Sequence, residues 1–274
     1  MPRPVGPADQ LRIVVLGGSA PATVQLIDAL AARCTGTAAL AAGRTGIAAF
    51  EIVLVLHGRS PDRLAAVARA ARLRAAALGL PIAITTQTDR AAALDGADVV
   101  LNQIRPGGLE QRSADESFPR DFGIPGEETL GPGGLACAVR AVAALRPVWA
   151  DLPASCPDAL LINLTNPAGI VTQAARIEFG LNVVSVCDSP LALLASAAAR
   201  LGVAEAVGDP PGARLRSRYV GMNHVGWYVP ASPGELDQLT GLVNGIDPDL
   251  TVPDRSGRPV PVAQGGRPIR EVLD

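Results

Sequence analysis

Leu11-Arg12-Ile13-Val14-Val15-Leu16-Gly17-Gly18-Ser19 is the stretch on which the fold turns. A short β-branched apolar run reads as a buried strand, and after the glycines Val24, Leu26, Ile27 and Leu30 recur at helical spacing. The unit is therefore strand, glycine turn, helix. Small residues at such a turn let an anion meet the helix N-terminus, where free backbone N–H groups and the helix dipole both favour negative charge. The spacing is not G-x-G-x-x-G, so Gly17, Gly18 and Ser19 are candidate cofactor-binding residues by position after the first strand and not by motif.

Working outward, Phe50 to Leu56 reads as a second buried strand, followed by a helix over Pro61 to Leu78 with Ser60 as its cap. Pro81 to Thr86, Asp98 to Asn102, Ala159 to Leu164 and Val183 to Val186 are further strands. A long helix from about Gly134 to Leu152 and an Ala-rich one from Leu191 to Leu201 accompany them. Strands alternating with helices predict an α/β domain, a doubly wound parallel sheet of Rossmann type with ligands at the carboxyl ends of its strands. From Pro210 the texture changes: Arg214 to Val220 and Val225 to Val229 read as extended, and the tail is rich in Pro, Gly and Arg. The expected organisation is a dinucleotide-binding domain over 1–205 and the beginning of an incomplete second α+β domain over 206–274.

Composition narrows the function. With 274 residues the chain can bury a substantial core, and 48% hydrophobic against 3% aromatic residues means a core of Ala, Val and Leu. A formal net charge of −2 leaves no positive excess for nucleic acid or an anionic membrane, so neither is expected as a partner. All 24 basic residues are arginine, which excludes Schiff-base lysine chemistry and leaves bidentate recognition of phosphates and carboxylates. The polar N-terminus lacks a secretory pattern, and no stretch reaches about 18 uninterrupted apolar residues, so the expected compartment is the cytoplasm. Cys34, Cys137, Cys156 and Cys187 are then reduced thiols.

Several loops carry chemistry. Where dinucleotide folds usually place an acid for the adenosine ribose, this chain has His57-Gly58-Arg59-Ser60; Arg59 and Ser60 could accept a 2′-phosphate, or Arg59 could simply be a solvated loop residue. Asn102-Gln103-Ile104-Arg105-Pro106 follows the fourth strand and Thr165-Asn166-Pro167 the fifth, both at the crevice edge, which makes Asn102 and Arg105 candidate cofactor-binding residues. Cys187 ends the sixth strand at that edge. His224, one of only two histidines, ends an extended run; a thiolate and an imidazole are good first-row metal ligands that would leave open positions for substrate oxygens. Neither C-x-x-C nor H-x-x-x-H is present, so spacing alone leaves both residues open to a structural reading.

Taken in order, Asn102 to Arg112 (NQIRPGGLEQR), Gly126 to Gly134 (GEETLGPGG), Thr165 to Gly169 (TNPAG), Cys187 to Pro190 (CDSP) and Gly221 to His224 (GMNH) resemble glycoside hydrolase family 4, of the 6-phospho-α/β-glucosidase type. The resemblance implies a lactate/malate-dehydrogenase-like fold, NAD with NADP as the alternative, a divalent metal, usually Mn²⁺, and a sugar phosphate as substrate. It implies hydride removal from C3 of the sugar, loss of the acidified C2 proton, elimination of the aglycone, addition of water and return of the hydride. On this pattern Cys187 and His224 match the metal ligands, and Arg112 and Asn166 match sugar-binding positions. Asp188 matches the general acid of the α type, whereas Gly107-Gly108-Leu109 looks like the β type. Glu128 matches a position supporting the base. A homo-oligomer is implied. Members of the family are longer, with a base tyrosine and phosphate-binding arginines in their second half, so an apparently truncated member is expected. The alternatives are a 2-hydroxy-acid dehydrogenase of the same fold and a nucleotide-binding protein without turnover.

Overall fold

The computed structural model describes residues 10–35, 51–189, 198, 218–222, 224–229, 232–233, 251–253 and 259–261. The chain folds as two compact units, one of residues 1–113 and 134–186, the other of residues 114–133 and 187–274. The boundary expected at 205/206 falls among residues outside the described ones, as does the helix expected over Leu191 to Leu201, apart from Ala198.

The first unit is built on β1 (Gln10–Leu16), β2 (Glu51–His57), β3 (Ile82–Gln87), β4 (Val99–Asn102), β5 (Leu160–Asn163) and β6 (Val183–Ser185). They form one sheet in the order β3-β2-β1-β4-β5-β6, every pair parallel. Parallel neighbours require crossovers. These are supplied by α1 (Ala22–Thr35), α2 (Pro61–Ala77), α3 (Arg90–Leu94), α4 (Gly108–Ser117), α5 (Gly131–Ser155) and α6 (Ala168–Phe179).

The double winding follows from the period-2 alternation of the strands. Ile13, Val15, Ile52, Leu54 and Leu56 point to one face and pack on Ile27, Leu30 and Ala31 of α1 and on Leu64, Ala68, Ala71 and Ala75 of α2. Val14, Leu16, Val53, Val55, Val100, Leu161 and Val183 point to the other, against α3, α5 and α6, with Trp149 at 1% exposure and Leu145 fully buried. The predicted Ser60 cap is present: its side chain accepts from the Arg63 N–H, with Pro61 in the first turn. Order reversal between β1 and β4 puts a crevice at their carboxyl ends, the switch point of such sheets.

Four helices depart from the sequence reading, which had no α3, α4 or α6; α4 (GLEQRSADES) carries too few apolar residues to show a stripe. α3 is too short to show periodicity, and α6 begins with the strand-like Ile170-Val171-Thr172. α5 runs longer than expected, through Pro147 and Pro153. In the second unit β7 (Arg218–Met222) and β8 (Val225–Val229) pair antiparallel, as the extended segments implied; residues 214–217 lie outside the described ones. The Pro-rich tail forms β9 (Thr251–Pro253) and β10 (Pro259–Pro261), an antiparallel pair missed in the sequence. Among the described residues no helix is long and apolar enough to cross a membrane.

Candidate cofactor crevice and metal site

The crevice begins at the turn after β1. Gly17 has φ +81°, and a Cβ there would lie 3.1 Å from the Gln103 carbonyl; a Cβ on Gly18 would meet the Leu56 backbone at 2.9 Å. Both glycines are therefore required by the close approach of the β2 and β4 ends. Gly18 N–H donates to the His57 carbonyl at 2.8 Å, and Gln103 Nε2 donates to the Gly17 carbonyl (3.2 Å) and to Thr23 Oγ1 (2.8 Å). The turn is thus clamped from both sides, leaving Ser19 partly buried at the approach to α1.

A buried polar network lines the ends of β4, β5 and β6. Asn102, 1% exposed, donates through Nδ2 to Asn163 Oδ1 (2.8 Å) and Thr165 Oγ1 (3.0 Å). Its Oδ1 accepts from Ile104 N–H at 3.3 Å. Asn163 Nδ2 donates to the Thr165 carbonyl and to Ser185 Oγ, both at 2.9 Å, while Thr165 Oγ1 donates to the Ile104 carbonyl at 2.7 Å. Ser185 in turn hydrogen-bonds the Thr172 hydroxyl. Buried amides need such partners, so this lattice fixes the loops that carry Arg105 and Asn166. Sequence reasoning missed Asn163, Thr165 and Ser185; the available signal was that β4 and β5 both end in asparagine, at paired register positions.

The other candidates of this unit stand nearby in the chain. Arg105 is exposed and Arg112 partly buried on α4. Asn166 precedes a cis proline, and its carbonyl accepts from Cys137 Sγ at 3.5 Å. Arg59 is exposed on the loop after β2. His57 is 8% exposed; burial first, then the charge of Arg90, holds its pKa below the ordinary value, against a hydrogen bond to the Thr88 backbone and the charge of Asp89. It is a neutral buried imidazole at pH 7.

In the second unit Cys187 and His224 come together: Sγ lies 3.5 Å from Nε2. His224 is held in the turn between β7 and β8 at φ +63°, a left-handed conformation that few non-glycine residues adopt. Its other nitrogen, Nδ1, faces Glu127 Oε2 at 3.5 Å. Glu127 Oε1 accepts from the Thr129 N–H at 3.1 Å, whereas Oε2 is buried without a hydrogen-bond partner. Glu128 is 4% exposed, and Asp188 is exposed beside Cys187. Glu127 was missed in the sequence because it sits next to the motif-matching Glu128, and nothing local says which of the two faces the imidazole.

Bonds of about 2.3 Å to sulfur and about 2.1 Å to nitrogen at a tetrahedral angle place the two ligand atoms roughly 3.6 Å apart. The observed 3.5 Å fits a pair sharing one ion. A carboxylate on Nδ1 favours the tautomer that leaves Nε2 free to coordinate. Among the described residues no group of three or more His, Cys, Asp or Glu side chains gathers as a metal cage, so the pair would leave positions open.

A probable 6-phospho-beta-glucosidase of Bacillus subtilis is 33% identical over 216 residues, 78% of this chain and 45% of the relative. The fold is similar to that of a 6-phospho-alpha-glucosidase from gut microorganisms in complex with NAD and Mn²⁺ (TM-score 0.67, 24% identity, 87% of this chain and 52% of that one). A 6-phospho-alpha-glucosidase structure of the same source with NAD and glucose-6-phosphate also matches (TM-score 0.67, 21% identity, 84% of this chain and 52% of that one). The chain thus spans about half the length of these relatives. The model of the family 4 glycosyl hydrolases matches residues 44–203, more than half of the chain, and this protein belongs to that family.

Proposed function

We propose that the chain serves the hydrolysis of 6-phospho-glucosides with a nicotinamide dinucleotide and a divalent cation, Mn²⁺ in the first instance. The observation that carries the reading is the Cys187–His224 pair at ligand spacing, in a chain of this family. In this reaction class the dinucleotide supplies reversible hydride acceptance at C3, and the cation supplies Lewis acidity at the C2 and C3 oxygens. Gly17, Gly18 and Ser19 form the turn that brings a pyrophosphate to the start of α1, and Asn102 and Arg105 serve the same cofactor crevice. Arg112 and Asn166 hold the sugar. Asp188, an exposed carboxyl next to Cys187, donates the proton to the leaving oxygen. Glu128 supports the group that takes the C2 proton. The working form is a cytoplasmic homo-oligomer.

Glu127 holds His224 in the coordinating tautomer. Removing a partner of this kind costs about 10- to 100-fold in metal affinity, so Glu127→Leu should weaken Mn²⁺ binding by that factor. Glu127→Gln, which keeps an acceptor oxygen, should recover most of it. A Mn²⁺ titration by calorimetry decides, and equal affinities for Glu127→Leu and the parent would remove Glu127 from the site.

The function itself is tested by assaying p-nitrophenyl 6-phospho-α- and β-glucosides with Mn²⁺ and NAD⁺. Cleavage that stops on chelation is the expected result. Cleavage indifferent to metal would sink the proposal; oxidation of lactate or malate instead would point to a dehydrogenase, and cofactor binding without turnover to a binding protein.

A further inference from the structure

In a sheet of this order the adenosine ribose lies at the carboxyl end of β2, where an acidic side chain accepts from its 2′-hydroxyl when the cofactor is NAD. His57-Gly58-Arg59-Ser60 has no carboxylate, and the structure leaves little room for one at position 58. A Cβ on Gly58 would sit 3.3 Å from both Ser19 Oγ and Leu64 Cδ2. The same contact places this loop directly against the glycine turn, to which it is also tied by the Gly18 N–H to His57 carbonyl bond of 2.8 Å. A dinucleotide with its pyrophosphate at that turn therefore has its ribose beside Arg59.

The groups present at this strand end suit an anion. Arg59 is exposed and forms no ion pair with any described residue, unlike Arg74, Arg90 and Arg146, which are paired with Asp28, Asp151 and Glu178. The first turn of the 17-residue α2 adds its own donors. Pro61 has no N–H, Arg63 N–H is taken by Ser60 Oγ and Leu64 N–H by the Ser60 carbonyl, which leaves the Asp62 amide open beside the positive end of the helix dipole. The exposed Asp62 carboxylate is the one acidic side chain of that turn. His57, at the same strand end, is buried with Nδ1 lacking a hydrogen-bond partner. With no lysine in the chain, a charged contact to a phosphate has to come from arginine, whose planar fork matches a phosphate bidentately.

We infer that the crevice carries a 2′-phosphate subsite made by Arg59 and the start of α2, so that the chain prefers NADP(H) to NAD(H). The inference rests on the reading of the crevice as a dinucleotide site. It sets this chain apart from the 6-phospho-alpha-glucosidase whose structures hold NAD. The experiment is calorimetric titration of the full chain with NAD⁺, NADP⁺, ADP-ribose and 2′-phospho-ADP-ribose, for the parent and for Arg59→Ala and Arg59→Glu.

The expected result is that both 2′-phosphorylated ligands bind at least about tenfold tighter than their counterparts, the scale of one or two charge-assisted hydrogen bonds. Arg59→Ala should remove most of that difference and Arg59→Glu should reverse it, both through weaker binding of the 2′-phosphorylated ligands, with the affinity for NAD⁺ little changed in Arg59→Ala. Arg59 is exposed, so neither variant threatens the core. NAD⁺ binding as tightly as NADP⁺ would overturn the subsite while leaving the dinucleotide reading intact. An undiminished NADP⁺ preference in Arg59→Ala would overturn the assignment to this residue. Failure of all four ligands to bind would overturn both the subsite and the cofactor reading.

Discussion

Cys187→Ser is expected to lower Mn²⁺ affinity by about a thousandfold or more and to abolish turnover with it. Loss of an outer partner alone costs about 10- to 100-fold, and here a direct ligand is lost from a pair that has no third protein member among the described residues. Serine keeps the shape of the side chain but offers a neutral hydroxyl that is not deprotonated at neutral pH, whereas cysteine binds a metal as the anionic thiolate. Because Cys187 is only partly buried and its other contact is a 3.4 Å hydrogen bond to Ser189 Oγ, folding should be little affected. The proper control is Cys137→Ser. That thiol is buried and donates to the Asn166 carbonyl, so its loss touches packing and not the ion. Cys156 is likewise buried, and burial pushes its pKa up, keeping it an inert thiol. The pair of titrations separates a metal ligand from a cysteine that merely packs. If Cys187→Ser binds Mn²⁺ like the parent, the metal assignment fails whatever happens to activity.

The sheet was legible because its first strands are short, nearly continuous apolar runs set between helical segments, as strands buried on both faces are. Odd-numbered residues of β1 and even-numbered residues of β2 feed one core, and the complementary set feeds the other. What a sequence carries openly is the run of apolar residues and its length; the division between the two faces follows once the run is extended. The Cys187–His224 pair was legible through its motifs and stands at ligand spacing. What could not be read was fixed by packing between distant segments. Gly17 and Gly18 look like a phosphate cradle in sequence; the structure adds that neighbouring strand ends leave no space for side chains. Asn163 and Ser185 read as the polar ends of strands until their amide and hydroxyl are seen to bond each other at 2.9 Å. Glu127 and Glu128 are chemically identical neighbours, and the path of the loop alone decides which one meets His224.

That path is itself set by two glycines, which leads to the second large effect. In Gly126→Ala the new Cβ would overlap the Glu116 carbonyl oxygen and come within 2.9 Å of Arg120 Nε. The oxygen is a backbone atom in the last turn of α4 and cannot swing aside like a side-chain tip. At Gly133 a Cβ would approach the carbonyl oxygens of Asp115 and Glu127 to 2.5 Å, so the loop is pinned at both ends and has no slack to absorb the intrusion. Overpacking of this kind costs typically about 1–3 kcal/mol, and more when backbone must move. Because residue 126 adjoins Glu127, the movement should also draw the carboxylate away from His224 and reduce Mn²⁺ affinity by about tenfold or more, as for other lost partners of a metal-bound imidazole. Gly123→Ala provides the contrast. Gly123 has φ +70° but nothing within 4 Å of the point where an alanine methyl would stand, so the substitution carries only the left-handed backbone cost of about 1–2 kcal/mol. Denaturant melts and Mn²⁺ titrations on the two variants then separate general destabilisation from displacement of the loop. Both should lose stability, and only Gly126→Ala should lose metal affinity beyond what its unfolded fraction explains. Equal metal affinity in a folded Gly126→Ala would show that close packing at this glycine is not what aims Glu127 at the imidazole.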